Sequence, residues 1–279
     1  MSEQWQFDFT VRGLIAPIEG FTYDNIQIKG LSDDKALVSF KVQIDSNTDK
    51  DGLKSELQKK LNDIAEVYGL ITNQHLEILY STYGQISKNG FKSLSFTIIG
   101  TPVFDNEQRT ENVPKIEKAL TKYKALQAIF SQKEKFFLRN AIDYYARSLK
   151  DDLPEEKLLD LMICLEALFN NENDELSYRY SLRVSSLLSI GQEDKRAEIY
   201  ENMRRFYGQR SAIVHGVEKP QLSDTDVDIL QQYAKEAIKR FMYIDMQKQE
   251  FVKLLDKSIV DTSKAMLLKE KVLQAIAKW

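Results

Sequence analysis

A two-domain α+β protein is predicted by three observations on the 279-residue chain. Apolar residues alternate with period two through the first hundred positions. From about residue 114 to the end they recur at helical spacing, and a polar connector, TPVFDNEQRTENVP near 101–114, lies between. The expected domains are 1–105, a small antiparallel β-sheet with one helix, and 106–279, an all-helical bundle.

The stretch ALVSFKVQI puts Val38, Phe40, Val42 and Ile44 on one face and Ser39, Lys41 and Gln43 on the other, the pattern of a half-buried strand. WQFDFTVRG at 5–13, FTYDNIQIK at 21–29, LEILYSTYG at 76–84 and KSLSFTIIG at 92–100 read the same way. GLKSELQKKLNDIAEVYGL at 52–70 has helical spacing, so the order is β-β-β-α-β-β. Beyond the connector, helices are expected near 114–131, 133–149, 154–170, 175–190, 194–215, 223–256 and 263–277. Pro114 and Pro154 suit first helical turns, where the missing N–H costs nothing. Ser223 followed by Asp226 forms a capping box with Asp in the usual Glu position. KLLDLMICLEALF at 157–169 is apolar nearly all round and marks a central helix, broken only by Glu166. In the last segment Met266, Leu267, Val272, Leu273 and Ile276 are candidates for a face that caps the bundle or joins a dimer.

Composition narrows the function classes. With 43% hydrophobic and 29% charged residues, five prolines and no low-complexity tract, the chain folds. A net charge of −3 leaves room for a nucleic-acid site only as a local basic patch. Cys164 is alone, so neither an intrachain disulfide nor a cysteine-held zinc is expected. With no leader in MSEQWQFDF, the expected location is the cytoplasm. No apolar run approaches the roughly 18 residues that cross a bilayer, so no membrane partner is expected. No P-loop, dinucleotide glycine pattern, nucleophile elbow or zinc-ligand spacing occurs, and neither cofactor nor metal is implied.

One stretch has the makings of a site. RFYGQRSAIVHG, Arg205 to Gly216, contains one of only two histidines, five positions after an arginine. On an ideal helix Arg210 and His215 lie about 140° apart, so one straight helix does not present both on a face. Gly216 suits the left-handed position after a helix end, which places His215 in the last turn. There the macrodipole favours imidazolium and the nearby arginine opposes it. A two-fold dimer would pool two copies of the pair. Histidine is suited to moving a proton and guanidinium to gripping phosphate oxygens. Together they suffice to cleave RNA without metal by attack of the 2′-hydroxyl on the adjacent phosphate.

Read with KLLDLMICLEALF, ELSYRYSLRVSSLL (175–188), IYENMRRFYGQRSAIVHG (199–216) and the long helix after it, the chain resembles the HEPN superfamily, and within it the Apea-like branch, over about residues 115–250. The resemblance implies an all-helical, dimeric domain whose R-x4-6-H signature lines a cleft at the dimer interface. In active members that cleft cleaves RNA, often in defence or toxin systems, leaving a 2′,3′-cyclic phosphate. Carried over, the signature falls on Arg210 and His215. Ser211 stands where the family commonly has Asn, Asp or His. Val217 stands where the branch silenced by tyrosine nucleotidylation has tyrosine, so that control does not carry over.

Glu166 has two readings, a pocket residue that orients Arg210 or His215 or a structural partner for a buried arginine such as Arg179 or Arg183. A carboxylate in an apolar helix needs a partner in either case. Between Glu175 and His215 seven Lys or Arg stand against five Asp or Glu, so Arg179, Arg183, Arg204 and Arg205 are candidates for a strip along an RNA backbone. A solvated helix face has the same composition. Tyr207 and Tyr178 are candidates for stacking on bases, or else for helix packing. The expected partners are RNA, a second copy of the chain and a trigger or regulatory partner at the sheet domain. A non-catalytic HEPN domain that binds RNA or nucleotide, or serves as a dimerisation module, is the competing reading.

Overall fold

The structure of the protein is a computed structural model that describes residues 2–87, 90–91, 112–170, 176–216 and 222–279. It is α+β, with two compact units, Met1–Leu126 and Gln127–Trp279.

The first unit is built on strands β1 (Ser2–Arg12), β2 (Phe21–Tyr23), β3 (Ile26–Gly30), β4 (Lys35–Asp45), β5 (Glu77–Ser87) and the two-residue β6 (Gly90–Phe91). They form an antiparallel sheet in the order β2-β3-β4-β1-β5-β6. The central pair β1 and β4 runs in register from Ser2 opposite Asp45 to Arg12 opposite Lys35. Phe7, Phe9 and Val11 therefore stand opposite Phe40, Val38 and Ala36, all buried on one face as the period-two pattern requires. The single strand expected at 21–29 is a hairpin. Asp24, at φ 58°, and Asn25 make the two-residue turn between Tyr23 and Ile26. Asp and Asn tolerate positive φ, which is what a tight hairpin turn demands, and that local preference overrides the alternation.

Helix α1 (Lys50–Thr72) buries Leu57, Leu61, Ile64 and Tyr68. Helix α2 (Val113–Phe130) contributes Ile116, Ala119 and Leu120, which line the same small apolar void as Ile28 and Val38 of the sheet and Leu61 and Ile64 of α1. Tyr23 and Thr121 hydroxyls meet at 3.0 Å and Lys124 pairs with Asp24 at 2.9 Å. Most of α2 thus packs in the first unit. The strand expected at 92–100 and the domain boundary expected after residue 105 lie outside the described residues.

The second unit comprises α3 (Phe136–Ser148), α4 (Pro154–Phe169), α5 (Leu176–Leu188), α6 (Arg196–His215), α7 (Asp224–Met242), α8 (Lys248–Lys257) and α9 (Thr262–Ile276). Pro154 opens α4, and the Ser223–Asp226 capping box is formed in both directions at the start of α7. Helix α4 is the centre, packed against α3, α6 and α7, with Leu161, Met162, Leu165 and Phe169 fully buried. Among the described residues no helix is long and apolar enough to cross a membrane.

The long helix expected at 223–256 is broken into α7 and α8. In one continuous helix Phe241 and Phe251 would be about 15 Å apart along the axis. Here their rings meet edge to face at 5.0 Å, and Phe169 meets Phe241 at 5.1 Å. The Nζ of Lys135 donates to the Ile244 carbonyl that the break leaves without a helical partner. No Pro or Gly announces this break. Burial of the second aromatic ring is what favours it. In the last helix Val272 is the one buried member of the five candidate face residues. Leu268, Val272 and Ala275 form its buried face, while Met266, Leu267, Leu273 and Ile276 are exposed.

The fold-back makes a stability prediction. Phe251→Ala is expected to cost about 3–5 kcal/mol in urea unfolding, the range for a fully buried aromatic. Met266→Ala on the exposed face of α9 is expected to stay within about 0.5 kcal/mol.

Candidate functional site

Helix α6 shows how Arg210 comes to be near the core. Its buried residues are Ile199, Met203 and Phe206, spaced by four and three, and the next position on that stripe is Arg210. A guanidinium on an apolar stripe needs a counter-charge, and α4 supplies one in Glu166, the polar exception in its apolar run. Glu166 Oε1 lies 3.3 Å from Arg210 Nε, and Arg210 Nη2 donates to Oε2 at 3.4 Å. The two side chains keep 29% and 21% of their surface, so the pair sits at the edge of the core, open to solvent on one side. The Nε contact falls outside hydrogen-bond geometry, so Nε has charge proximity but no well-aligned acceptor. Of the two readings of Glu166, the pairing is with Arg210.

The electrostatics follow from burial. Desolvation pushes the Glu166 carboxyl above its ordinary value, and Arg210 offsets this only in part. Beneath the pair lies Tyr180 of α5, fully buried. Desolvation and then the Glu166 carboxylate drive its hydroxyl well above the ordinary range, so it remains neutral. It donates to the Met162 carbonyl at 3.4 Å, and its ring contacts Phe169 and Tyr207 at centroid distances of 6.2 Å each. Tyr207 is half-buried against this ring. Tyr180 is the residue that reading the sequence for chemistry misses. Its signal is the buried stripe Tyr180, Val184 and Leu187 along α5, facing the helix that bears the arginine.

His215 is the last residue of α6 and is exposed. The chain reverses only at Gly216, whose φ of 63° is the expected left-handed cap, with its N–H directed to the Ala212 and Ile213 carbonyls. Because α6 is continuous through both residues, Arg210 and His215 are about 140° apart around it and about 7.5 Å apart along it. Arg210 faces α4, whereas His215 is open to solvent. Ser211 is half-buried between them.

The proposed basic strip divides. Arg179, Arg204 and Arg205 are exposed. Arg205 is held by Asp226 at 2.7 Å and covers the Phe206 ring at 4.7 Å. Arg183 is a correction to the surface reading. It is 6% exposed, donates through Nε and Nη2 to the two oxygens of Asp256 at 2.7 Å each, and through Nη1 to the Phe169 carbonyl at 3.0 Å. It fastens α5 to α8 and to the end of α4. Its place on the same stripe as Tyr180 and Leu187 explains why it turns inward. Tyr178 is more than half exposed and meets Tyr200 edge on.

Among the described residues no group of three or more His, Cys, Asp or Glu side chains is placed to hold a metal ion. Cys164 is fully buried, and desolvation raises its thiol far above the usual range, which makes it inert packing. Comparison with protein-family models, with curated proteins and with solved structures gives no match.

Two outcomes are expected. Asp256→Ala leaves Arg183 buried beside a lone carbonyl and is expected to cost about 3–5 kcal/mol in chemical unfolding. The second concerns pH. Glu166 binds its proton more tightly folded than unfolded. Its contribution to stability is therefore complete below the ordinary carboxylate range, about pH 4.3, and is lost as pH rises through its raised folded value. Relative to Glu166→Gln, the wild type should gain stability as pH falls from 7 to 4 in thermal melts. The comparison cancels Asp160, whose carboxyl burial raises to about 6 despite Arg147 beside it.

Proposed function

We propose that the helical unit is a HEPN-type endoribonuclease, acting without metal in a cleft shared by two copies of the chain. The observation that carries this reading is the end of α6: a phosphate-competent guanidinium, oriented by Glu166 and partly open to solvent, lies on the same helix as an exposed histidine.

In the proposed reaction neutral His215 removes the proton of an RNA 2′-hydroxyl. The 2′-oxygen attacks the adjacent phosphorus, forming the O2′–P bond, and the P–O5′ bond breaks to leave a 2′,3′-cyclic phosphate. The departing 5′-oxygen takes a proton from the imidazolium of a second His215, in the other copy. Arg210 binds the phosphate oxygens and neutralises the charge that grows on them. With Nη2 and Nε turned to Glu166, Nη1 remains for the phosphate. Helical geometry supports the dimer in this reading. Two groups about 140° apart on one helix do not converge on one phosphate, whereas a suitable two-fold axis would bring the arginine of one copy to the histidine of the other. The exposed Arg179, Arg204 and Arg205 extend the positive surface for the RNA backbone. In this reading the protein is a cytoplasmic defence or toxin-type effector, and the sheet unit senses a trigger or regulatory partner.

A second reading, a non-catalytic module that binds RNA or nucleotide or only dimerises, is favoured by the Glu166–Arg210 pair, since an arginine already matched to a carboxylate is less available to a phosphate.

The test is incubation of purified protein with RNA in EDTA, with light scattering to establish the dimer. Wild type should release fragments ending in cyclic phosphate and leave DNA intact. His215→Ala and Arg210→Ala should each lose about 100-fold or more in rate, the lower end of a general acid–base contribution. Variants that cut as well as the wild type, or a wild-type dimer that cuts no RNA, would sink the enzyme reading in favour of the second.

A further inference from the structure

A cleft of about 420 Å³ lies along one side of α7, bounded by the end of α5 and the first turns of α6, away from the Arg210–Glu166 pair. Its wall on α7 is a stripe from Thr225 to Arg240, about 22 Å of helix, and Leu188, Ile199 and Ile229 give it apolar surface. The two helices run antiparallel beside it, since Asn202 bonds to Tyr233 while Arg205, further along α6, pairs with Asp226, earlier on α7.

The cleft contains an unresolved charge. Arg240 is 5% exposed, and its Nη1 donates to the Leu187 carbonyl at the end of α5. Its Nε has no acceptor, and among the described residues no carboxylate lies within ion-pair distance of it. The nearest acid along its helix, Glu236, is committed to Lys239 at 2.7 Å and to Gln232. A guanidinium does not shed its proton, so burial leaves it a cation that feels the charge of Glu236, one turn away, but has no carboxylate in contact. Arg183 and Arg210, which also turn toward the core of this unit, both have carboxylates.

Glu236 also lines the cleft, neutralised by Lys239, and the remaining charges are segregated along it. Lys195, on the turn before α6, shares the Arg240 end, while Asp228 lies about 18 Å of helix axis away, with Glu198 between. Lys195, Glu198 and Asp228 are exposed and form no ion pair among the described residues. One end of the cleft therefore seeks an anion and the remainder a cation. An apolar-lined cleft of this volume with a few convergent polar groups is of the kind that takes small molecules.

We infer that this cleft binds a short zwitterion of tripeptide length, its carboxylate on Arg240 and Lys195 and its ammonium on Glu198, with Asp228 adding negative potential beyond it. An extended tripeptide spans about 10 Å, which reaches from the basic end past Glu198. The carboxylate gives the Arg240 guanidinium, which lines the cleft, a counter-charge, and this contact contributes more than those to the exposed Lys195 and Glu198. The site is separate from the proposed ribonuclease centre, and neither depends on the other.

Calorimetric titration of the full chain with trialanine, N-acetyl-trialanine and trialanine amide tests this directly. Trialanine should bind one to one. Acetylation, which removes the cation, and amidation, which removes the anion, should each weaken binding about tenfold or more. In the double variant Glu198→Gln, Asp228→Asn, acetylation should no longer matter while amidation still does. Lys195→Gln should reduce the amidation effect. These three residues are exposed, so the variants are expected to fold. Arg240→Lys, which carries a folding risk because Arg240 caps α5, is read only alongside its melting curve. The inference is overturned if trialanine shows no binding at millimolar concentration, if the three peptides bind equally, or if the rim variants leave the two differences untouched.

Discussion

The helical unit is organised by the need to match guanidinium groups that its own packing draws inward. Arg183, Arg210 and Arg240 lie on the inner stripes of α5, α6 and α7, where a straight apolar register would place Leu or Phe. Each finds a different answer. Arg183 has a bidentate carboxylate and a carbonyl, and through them ties α8 to α5 and to the end of α4. Arg210 has a partly solvated carboxylate in the central helix. Arg240 has a single carbonyl at the end of α5. Breaking any of these pairings leaves an uncompensated charge near a core, a larger penalty than loss of a comparable apolar contact. The arrangement of the helices around α4 is thus constrained by charge as well as by aromatic packing.

This gradient of compensation separates structure from function within one residue type. Arg183, buried and held by a bidentate carboxylate and a carbonyl, is closed to a ligand. Arg210, matched but half open, retains one nitrogen and a solvent-facing side. Arg240, buried and short of an acceptor, sits in the wall of a cleft in which Lys195, Glu198 and Asp228 form no ion pair among the described residues. The Glu166–Arg210 pair also draws Tyr180 into the same electrostatic neighbourhood. A neutral phenol and a carboxyl with a raised proton affinity share a dry region beneath the arginine. Any ligand at Arg210 would meet a guanidinium whose orientation is already set from below.

Much of the local structure is legible one residue at a time. Pro154 at the start of α4, the Ser223–Asp226 box and the left-handed Gly216 are each decided by the backbone chemistry of a single residue, and each appears where that chemistry points. The alternation Val38, Phe40 reads directly as the buried face of β4. Misreadings occur where a distant partner decides. The split of α7 from α8 depends on Phe251 reaching Phe241 and Phe169, and α9 turns its Leu268, Val272 and Ala275 inward because of what it packs on. At the site, the 140° separation of Arg210 and His215 follows from helical periodicity alone. Which arginine Glu166 would choose does not, because Arg179, Arg183 and Arg210 are equivalent on paper.

By itself the sequence determined the α+β division, the strands and helices with strong period or clear caps, the continuous helix bearing Arg210 and His215, and the requirement that Glu166 have a cation. Those are properties of residues within a few positions of one another, governed by backbone sterics and periodicity. Only the tertiary structure decided that the cation is Arg210, that Arg183 belongs to the packing and that Arg240 is left without a carboxylate beside an open cleft. Charge pairing across tens of residues depends on which helices become neighbours, and that is settled by burial of the whole apolar surface at once.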